Sequence, residues 1–270
     1  ITTIVDSYNA ILNAAADDYY TNPTTAQYAA IGVTGVDAGA ETSLLGDVVG
    51  SKETADVGTV AEIQALADAV QKVIDGAEGA GEPTLADLQA LGITDVTDVT
   101  AVNIGAINDA LNFARANFGS DSIDTIAEIT TIVDSYNAIL NAAADDYYTN
   151  PTTAQYAAIG VTGVDAGAET SLLGDVVGSK ETAAVDTVAE IQALADAVQK
   201  VIDGAAGAGE PTLADLNALG ITDVAAVNIG AINDALNFTR ANFGSDSIDT
   251  IAKITTIVDS YNAILNAAAD

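Results

Sequence analysis

The chain contains no cysteine, histidine, methionine or tryptophan. Without histidine and cysteine, the commonest zinc ligands are missing. So is the side chain that titrates near neutral pH. The usual pairings that activate a hydroxyl or thiol nucleophile cannot be built. Carboxylate pairs remain able to do acid–base work, so the exclusion of enzymes is strong without being absolute. The absence of cysteine permits an oxidising compartment without requiring one. Cations are almost as scarce, with 7 Lys and Arg against 39 Asp and Glu and a net charge of -32. Such a charge opposes nucleic-acid binding, which needs basic side chains on phosphate, and opposes docking on an anionic membrane. It favours solubility and attracts cations. No uninterrupted apolar run reaches the roughly 18 to 20 residues of a membrane span.

What the chain does have is repetition, the first thing to seek in such a sequence. Residues 1–55 recur unchanged at 129–183. The match runs on to Lys253 with substitutions that include Asp56 to Ala184, Gly58 to Asp186, Glu78 to Ala206 and Glu128 to Lys253. The second copy lacks three residues after Val224, and a third copy runs from Ile254 to Asp270. The sequence opens on Ile1 and closes inside a repeat, so it reads as a segment of a longer array.

A weaker repeat lies inside the strong one. Residues 83–94 match 23–34, and the four prolines, Pro23, Pro83, Pro151 and Pro211, share one position. They mark units of roughly 60 to 68 residues in ABAB order, a size that suits small helical domains better than solenoid turns. Each unit reads as three helices. The first is short. Thr24 with Gln27, and Thr84 with Asp87, have capping-box spacing. Leu85, Leu88 and Leu91 follow at helical intervals. Gly32, Gly92, Gly160 and Gly220, each followed by Val or Ile, have the form of a left-handed cap with a hydrophobic closing contact. The second helix carries Val102, Ile104, Ile107 and Leu111 in one unit type, and Leu44, Leu45, Val48 and Val49 in the other. The third opens on Thr125 and Glu128, or Thr59 and Glu62. It continues as Ile126, Ile129, Val133, Tyr136 and Leu140, or as Val60, Ile63, Leu66, Val70 and Val73. At the last copy Thr250 faces Lys253, which weakens that cap by up to ~1 kcal/mol.

No such helix buries its apolar face alone. The expected fold is therefore all-α, a tandem array of small three-helix bundles joined by acidic or Gly-rich linkers. Its divisions are 1–18, the last helix of a preceding unit; 19–76 and 147–204, type A; and 77–146 and 205–270, type B. Residues 94–100 alternate Thr, Asp and Val but join two helices, and read as a loop. The Gly-rich linker after Asp75 reads as a flexible joint. The other linker stays helix-friendly up to Asn22.

The helix ending Leu88-Gln-Ala-Leu-Gly-Ile-Thr94, the helix around Ala106-Ile-Asn-Asp-Ala-Leu111 and the helix Thr125–Leu140 resemble the helical tandem repeats of giant bacterial surface and biofilm adhesins. Their order also resembles the albumin-binding three-helix modules of Gram-positive surface proteins. The resemblance spans nearly the whole chain, unit by unit, and its motifs are common among helical bundles. It implies an extracellular shaft or adhesive array at the cell surface. It does not imply albumin binding, since this chain is far more acidic and no binding residue matches one by one.

Two sets of side chains stand out as sites. Asp121 and Asp124, with their copies Asp246 and Asp249, lie among serines before a helix. Calcium takes six to eight oxygens and such a loop offers some, as weakly bound calcium. Asp and Ser are equally the ordinary residues for starting a helix, and EF-hand spacing is absent. Tyr19, Tyr20, Tyr147 and Tyr148 are interface candidates, since tyrosine brings contact area at low entropy cost. The alternative is that one ring of each pair packs over a joint. Tyr8, Tyr136 and Tyr261 fall on the apolar face of the third helix and are expected in the core. Gly76–Gly81 lacks the Walker lysine and is flanked by acids, so it is no phosphate loop. Arg115 and Arg240 lie near a helix end, where a positive charge suits the dipole.

Three functions follow. The first is a non-enzymatic structural shaft, in which identical copies supply length, and multivalency if they bind. The second is a self-assembling subunit of a filament, sheath or surface layer, suggested by the helix at 1–18 that lacks its own first two helices. The third is a binding module for a host or matrix protein. The implied partners are neighbouring repeats of the same or another chain, and a surface or matrix protein. Nucleic acid and membrane insertion are not among them.

Overall fold

A computed structural model describes residues 1–15, 21–76, 81–93, 104–144, 149–204 and 209–269. These residues are all-helical, with no strand among them. The helices are α1 (Thr2–Ala14), α2 (Thr25–Ala30), α3 (Ala40–Gly50), α4 (Val60–Asp75), α5 (Leu85–Ala90), α6 (Ile104–Phe118), α7 (Ile126–Ala144), α8 (Thr153–Ala158), α9 (Ala168–Gly178), α10 (Val188–Asp203), α11 (Leu213–Ala218), α12 (Ile229–Phe243) and α13 (Ile251–Ala269). No helix among the described residues is long and apolar enough to cross a membrane.

The short helices form for the reasons their sequences give. Thr84 accepts from the Asp87 backbone N–H while the Asp87 carboxylate takes the Thr84 N–H at 2.8 Å, closing a capping box. Thr24 with Gln27, Thr152 with Gln155 and Thr212 with Asp215 repeat it. Each short helix ends in a left-handed glycine, as at Gly92 with φ 84°. There the Ile93 N–H reaches the Leu88 carbonyl at 3.2 Å and the Gly92 N–H the Gln89 carbonyl at 3.0 Å. This pair of bonds is the Schellman arrangement, and Leu88 and Ile93 are both buried across it.

The chain divides into two compact units, Ile1–Asp134 and Ser135–Asp270. The division falls inside α7. In the first unit α1 packs on α2, α3 and the 3-10 turn Thr54–Val57, α3 packs on α4, and α4 packs on α5. In the second, α9 packs on α10, α10 on α11, and α13 on both α12 and α9. The type A and type B segments therefore interlock within each unit, because α4 and α10 each pack on helices of both types. Leu44, Leu45, Val48, Val49, Ile63, Val70, Val73, Leu88, Leu91, Ile107 and Leu111 are core residues, as their spacing predicts.

Some placements differ. Val60 is exposed, and Ile126 and Leu140 are half-buried, while Ile132 and Ile139 join the core in their place. A wider arc of α7 is covered than one three-and-four stripe describes. Tyr136 is fully buried, but Tyr8 and Tyr261 are half-buried. Tyr28 and Tyr156, at the first-helix position that Leu88 holds in the other segment type, are also fully buried. Val102 and the loop 94–100 lie outside the described residues.

Candidate functional site

The acidic turns come first. Ser120–Ser122 and Ser245–Ser247 are 3-10 turns entered from glycines at φ 84° and 85°. Ser122 donates its hydroxyl to the Gly119 carbonyl at 2.7 Å, and Ile123 is driven into the core beneath. Asp121 is exposed and Asp124 half-buried. The Asp124 carboxyl is raised above the ordinary aspartate range, first by burial and then by the neighbouring Glu128 and Asp121 charges, with a Ser43 hydrogen bond opposing. In the second copy Lys253 reaches the Asp246 carbonyl at 2.7 Å and the Asp249 carboxylate at 2.6 Å. A cation of the chain itself thus sits where the sequence suggests calcium. Among the described residues, no group of three or more Asp or Glu side chains is arranged to hold a metal ion. The structure brings Asp121 and Asp124, and Asp246 and Asp249, to the start of a helix.

The interface candidates Tyr19, Tyr20, Tyr147 and Tyr148 lie outside the described residues, as do residues 77–80 of the Gly-rich segment.

The more developed constellations are the links that fasten one helix to the end of another. Asp47 on α3 accepts the Ile126 N–H at 2.7 Å, capping α7 from 79 residues away. Asp175 does the same for Ile251 at 2.7 Å. A carboxylate at a helix start satisfies an otherwise unpaired N–H and meets the positive end of the helix dipole. Spacing alone does not point to either aspartate; the only signal in the sequence is one charge inside the run Leu44-Leu45-Gly46-Asp47-Val48-Val49.

The opposite helix ends are closed by arginine. Arg115 donates to the Val73 carbonyl at 2.5 Å, and Arg240 to the Val201 and Ile202 carbonyls at 2.8 and 2.9 Å. These guanidinium groups cap α4 and α10, so the dipole they serve belongs to a neighbouring helix as well as to their own. Lys72 pairs with Asp87 at 2.8 Å, and Lys200 with Asp215 at 2.8 Å, tying α4 to α5 and α10 to α11. Burial pushes the Asp87 carboxyl up, but the Lys72 ammonium and the Thr84 hydroxyl and N–H outweigh it and hold the group below the ordinary range. The same set of groups does so at Asp215.

A buried carboxyl also recurs. Glu41 is buried at the start of α3, where it accepts the Asp37 N–H; Glu169 accepts the Asp165 N–H at 2.6 Å. Burial raises both carboxyls, and hydrogen bonds and charge from Asp75 and Asp203 raise them further. Two carboxyls in contact favour holding one proton between them. Each pair closes a helix start against a helix end.

The constellations of Asp47, Lys72–Asp87, Arg115 and Glu41 are each built within one unit and recur in the other at Asp175, Lys200–Asp215, Arg240 and Glu169. No family model, curated protein or solved structure matches the chain.

Proposed function

We propose that the chain is a shaft segment of a large extracellular bacterial surface adhesin, a non-enzymatic spacer that holds a more distal part away from the cell. Its segments 19–76, 77–146, 147–204 and 205–270 act as short–medium–long three-helix units. The long helices α4 and α10 also pack on the short helix of the segment that follows each. The observation that carries this reading is duplication of the fasteners. Lys72–Asp87 and Lys200–Asp215 are both 2.8 Å, and Asp47 and Asp175 cap helices 79 and 76 residues further along at 2.7 Å. Selection for length preserves the internal joints of each copy alike. The surface charge gathers divalent cations diffusely, which screens repulsion between repeats.

Antibody raised against this chain, applied to intact cells of the producing bacterium, tests the proposal. Label on intact cells is expected. Label that appears only after permeabilisation overturns it. Saturable binding of a single host or matrix protein by the chain would replace the spacer with a binding module.

A further inference from the structure

α3 and α9 each begin beside a carboxylate that ends another helix. Glu41, in the first turn of α3, is 6% exposed, and Glu169 on α9 is 5% exposed. One oxygen of each takes the N–H of Asp37 or Asp165. Each side chain also meets the carboxyl of Asp75 or Asp203, the last residue of α4 or α10. α3 packs on α4, and α9 on α10, so the contact is part of the helix packing. Two ionised carboxylates in contact and out of water repel, whereas a pair holding one proton forms a charge-assisted hydrogen bond. In the second unit that proton has a definite place. Arg240 lies within electrostatic reach of Asp203 and favours the anion there, so Glu169 is the donor. Arg115 donates to the Val73 carbonyl at the matching end of α4. Asp37 and Asp165 add negative charge from the preceding loop. Lys72 and Lys200, one turn back on α4 and α10, are committed to Asp87 and Asp215. Of the other helices packed on α3 and α9, α1 carries Asp6 and α13 carries Lys253 and Asp259. All three are exposed, and Lys253 is held by Asp249. Tyr8 of α1 gives its hydroxyl to the Gly58 carbonyl.

We propose that the Glu41–Asp75 and Glu169–Asp203 pairs are proton-operated latches that fix the last turn of α4 and α10 to the start of α3 and α9. With one proton between the partners, the glutamic acid donates to the aspartate and the helix end is held. Opening releases that one proton to water and breaks the one O–H···O bond. Two carboxylates then face each other, and the last turn loosens. Burial and the neighbouring aspartates raise both glutamates above 4.5. The latch is therefore closed in mild acid and opens as pH rises through the folded value. Asp87 and Asp215 are held below the ordinary range, so the Lys72–Asp87 and Lys200–Asp215 ties stay charged throughout the opening. α4 and α10 keep their hold on α5 and α11 while the latches at their own ends work. Asp75 and Asp203 stand where these helices give way to Gly76, Gly204 and the Gly-rich linkers. Acidity thus sets how firmly the chain is anchored where it leaves a type A segment. The latch is a property of the fold and does not depend on where the chain resides.

Hydrogen exchange on the full-length chain, corrected for the intrinsic rate at each pH, tests this. Peptides that run past Glu78 or Ala206 tell the two copies apart by mass. In the wild type, protection of residues 72–76 and 200–204 is expected to rise several-fold, relative to the centre of the same helix, as pH falls from about 7.5 to about 4.5. Glu41→Gln gives Asp75 a permanent neutral donor. It is expected to hold the first copy at its acid-state protection across the range, while the second copy keeps its dependence. Should that variant fail to fold, Asp75→Asn puts the donor on the other side of the contact and is expected to remove the dependence from the first copy alone. Wild-type protection at these helix ends that does not change with pH overturns the proposal. So does a dependence that survives substitution in the first copy, or one that vanishes from both copies together. Neither outcome bears on where antibody labels the cell.

Discussion

The helix start at Thr125 and its copy at Thr250 differ by one residue at the third helical position, and they are wired differently. At the first, the Glu128 carboxylate takes the N–H groups of Asp124 and Thr125, both at 3.1 Å, and the Glu128 N–H returns to Thr125 at 3.3 Å. At the second, Lys253 keeps only the return bond, at 3.3 Å, and sends its ammonium to Asp249 and the Asp246 carbonyl. The long-range cap is unchanged: Asp47 and Asp175 cap the two helices at the same 2.7 Å. The fold of a repeat therefore depends on its long-range fasteners and core. The local cap can be rewritten, even with reversed charge, without moving the helix.

If the two copies are equivalent at depth, the largest matched losses should come from the core. Leu88→Ala and Leu216→Ala remove matching buried side chains and should each cost about 2–5 kcal/mol. Urea unfolding of the two variants should give losses that agree with each other; an unchanged midpoint for Leu88→Ala would contradict the seating of the first helix. Next come Gly46 and Gly174. A Cβ at either would lie 2.5 Å from the Cγ of Asn22 or Asn150, and the nearby Asn Cβ atoms leave little room to yield. Gly46→Ala and Gly174→Ala should each destabilise by about 1–3 kcal/mol, read as matched falls in Tm.

Smaller effects should separate the copies. Glu128→Lys should weaken the first unit by about 1 kcal/mol. Lys253→Glu should strengthen the second by less, because it restores the box and loses the half-exposed pair with Asp249; thermal melts of both swaps test the asymmetry. Four matched carboxyls should give both units a common component of pH dependence. Glu41 and Glu169 have raised folded-state values, so their contribution to stability is fully present below the unfolded value of 4.5 and lost as pH rises through the folded one. Asp87 and Asp215 are lowered. Their contribution is present above 3.8 and lost as pH falls through the folded value. Tm should therefore rise on mild acidification and fall again at lower pH. Glu41→Gln with Glu169→Gln should flatten the first limb only.

Much of the helical content is legible because it rests on local rules. A Thr three residues before Asp or Gln, a glycine before Ile93 or Val33, and leucines at three-residue steps act over one or two turns, and the short helices follow. The sites are less legible. The serines and aspartates of 120–124 carry the same residue types whether they hold calcium or start a helix. The placement of Lys253 on Asp249 and of Ser43 on Asp124 depends on packing that those residue types do not encode. The position of Arg115 points to the dipole of its own helix, and its reach to the Val73 carbonyl of α4 depends on packing that spacing does not encode.

Helical class, repeat period, the starts and stops of the short helices and most of the core faces are properties of the sequence alone. They come from backbone capping and apolar periodicity, which are short-range. Other features exist only once the chain has packed. Asp47 caps a helix 79 residues away, Glu41 is buried beside Asp75, and α4 packs on helices of both segment types. Each of these depends on which neighbour occupies the adjoining space, and short-range patterns carry no record of that.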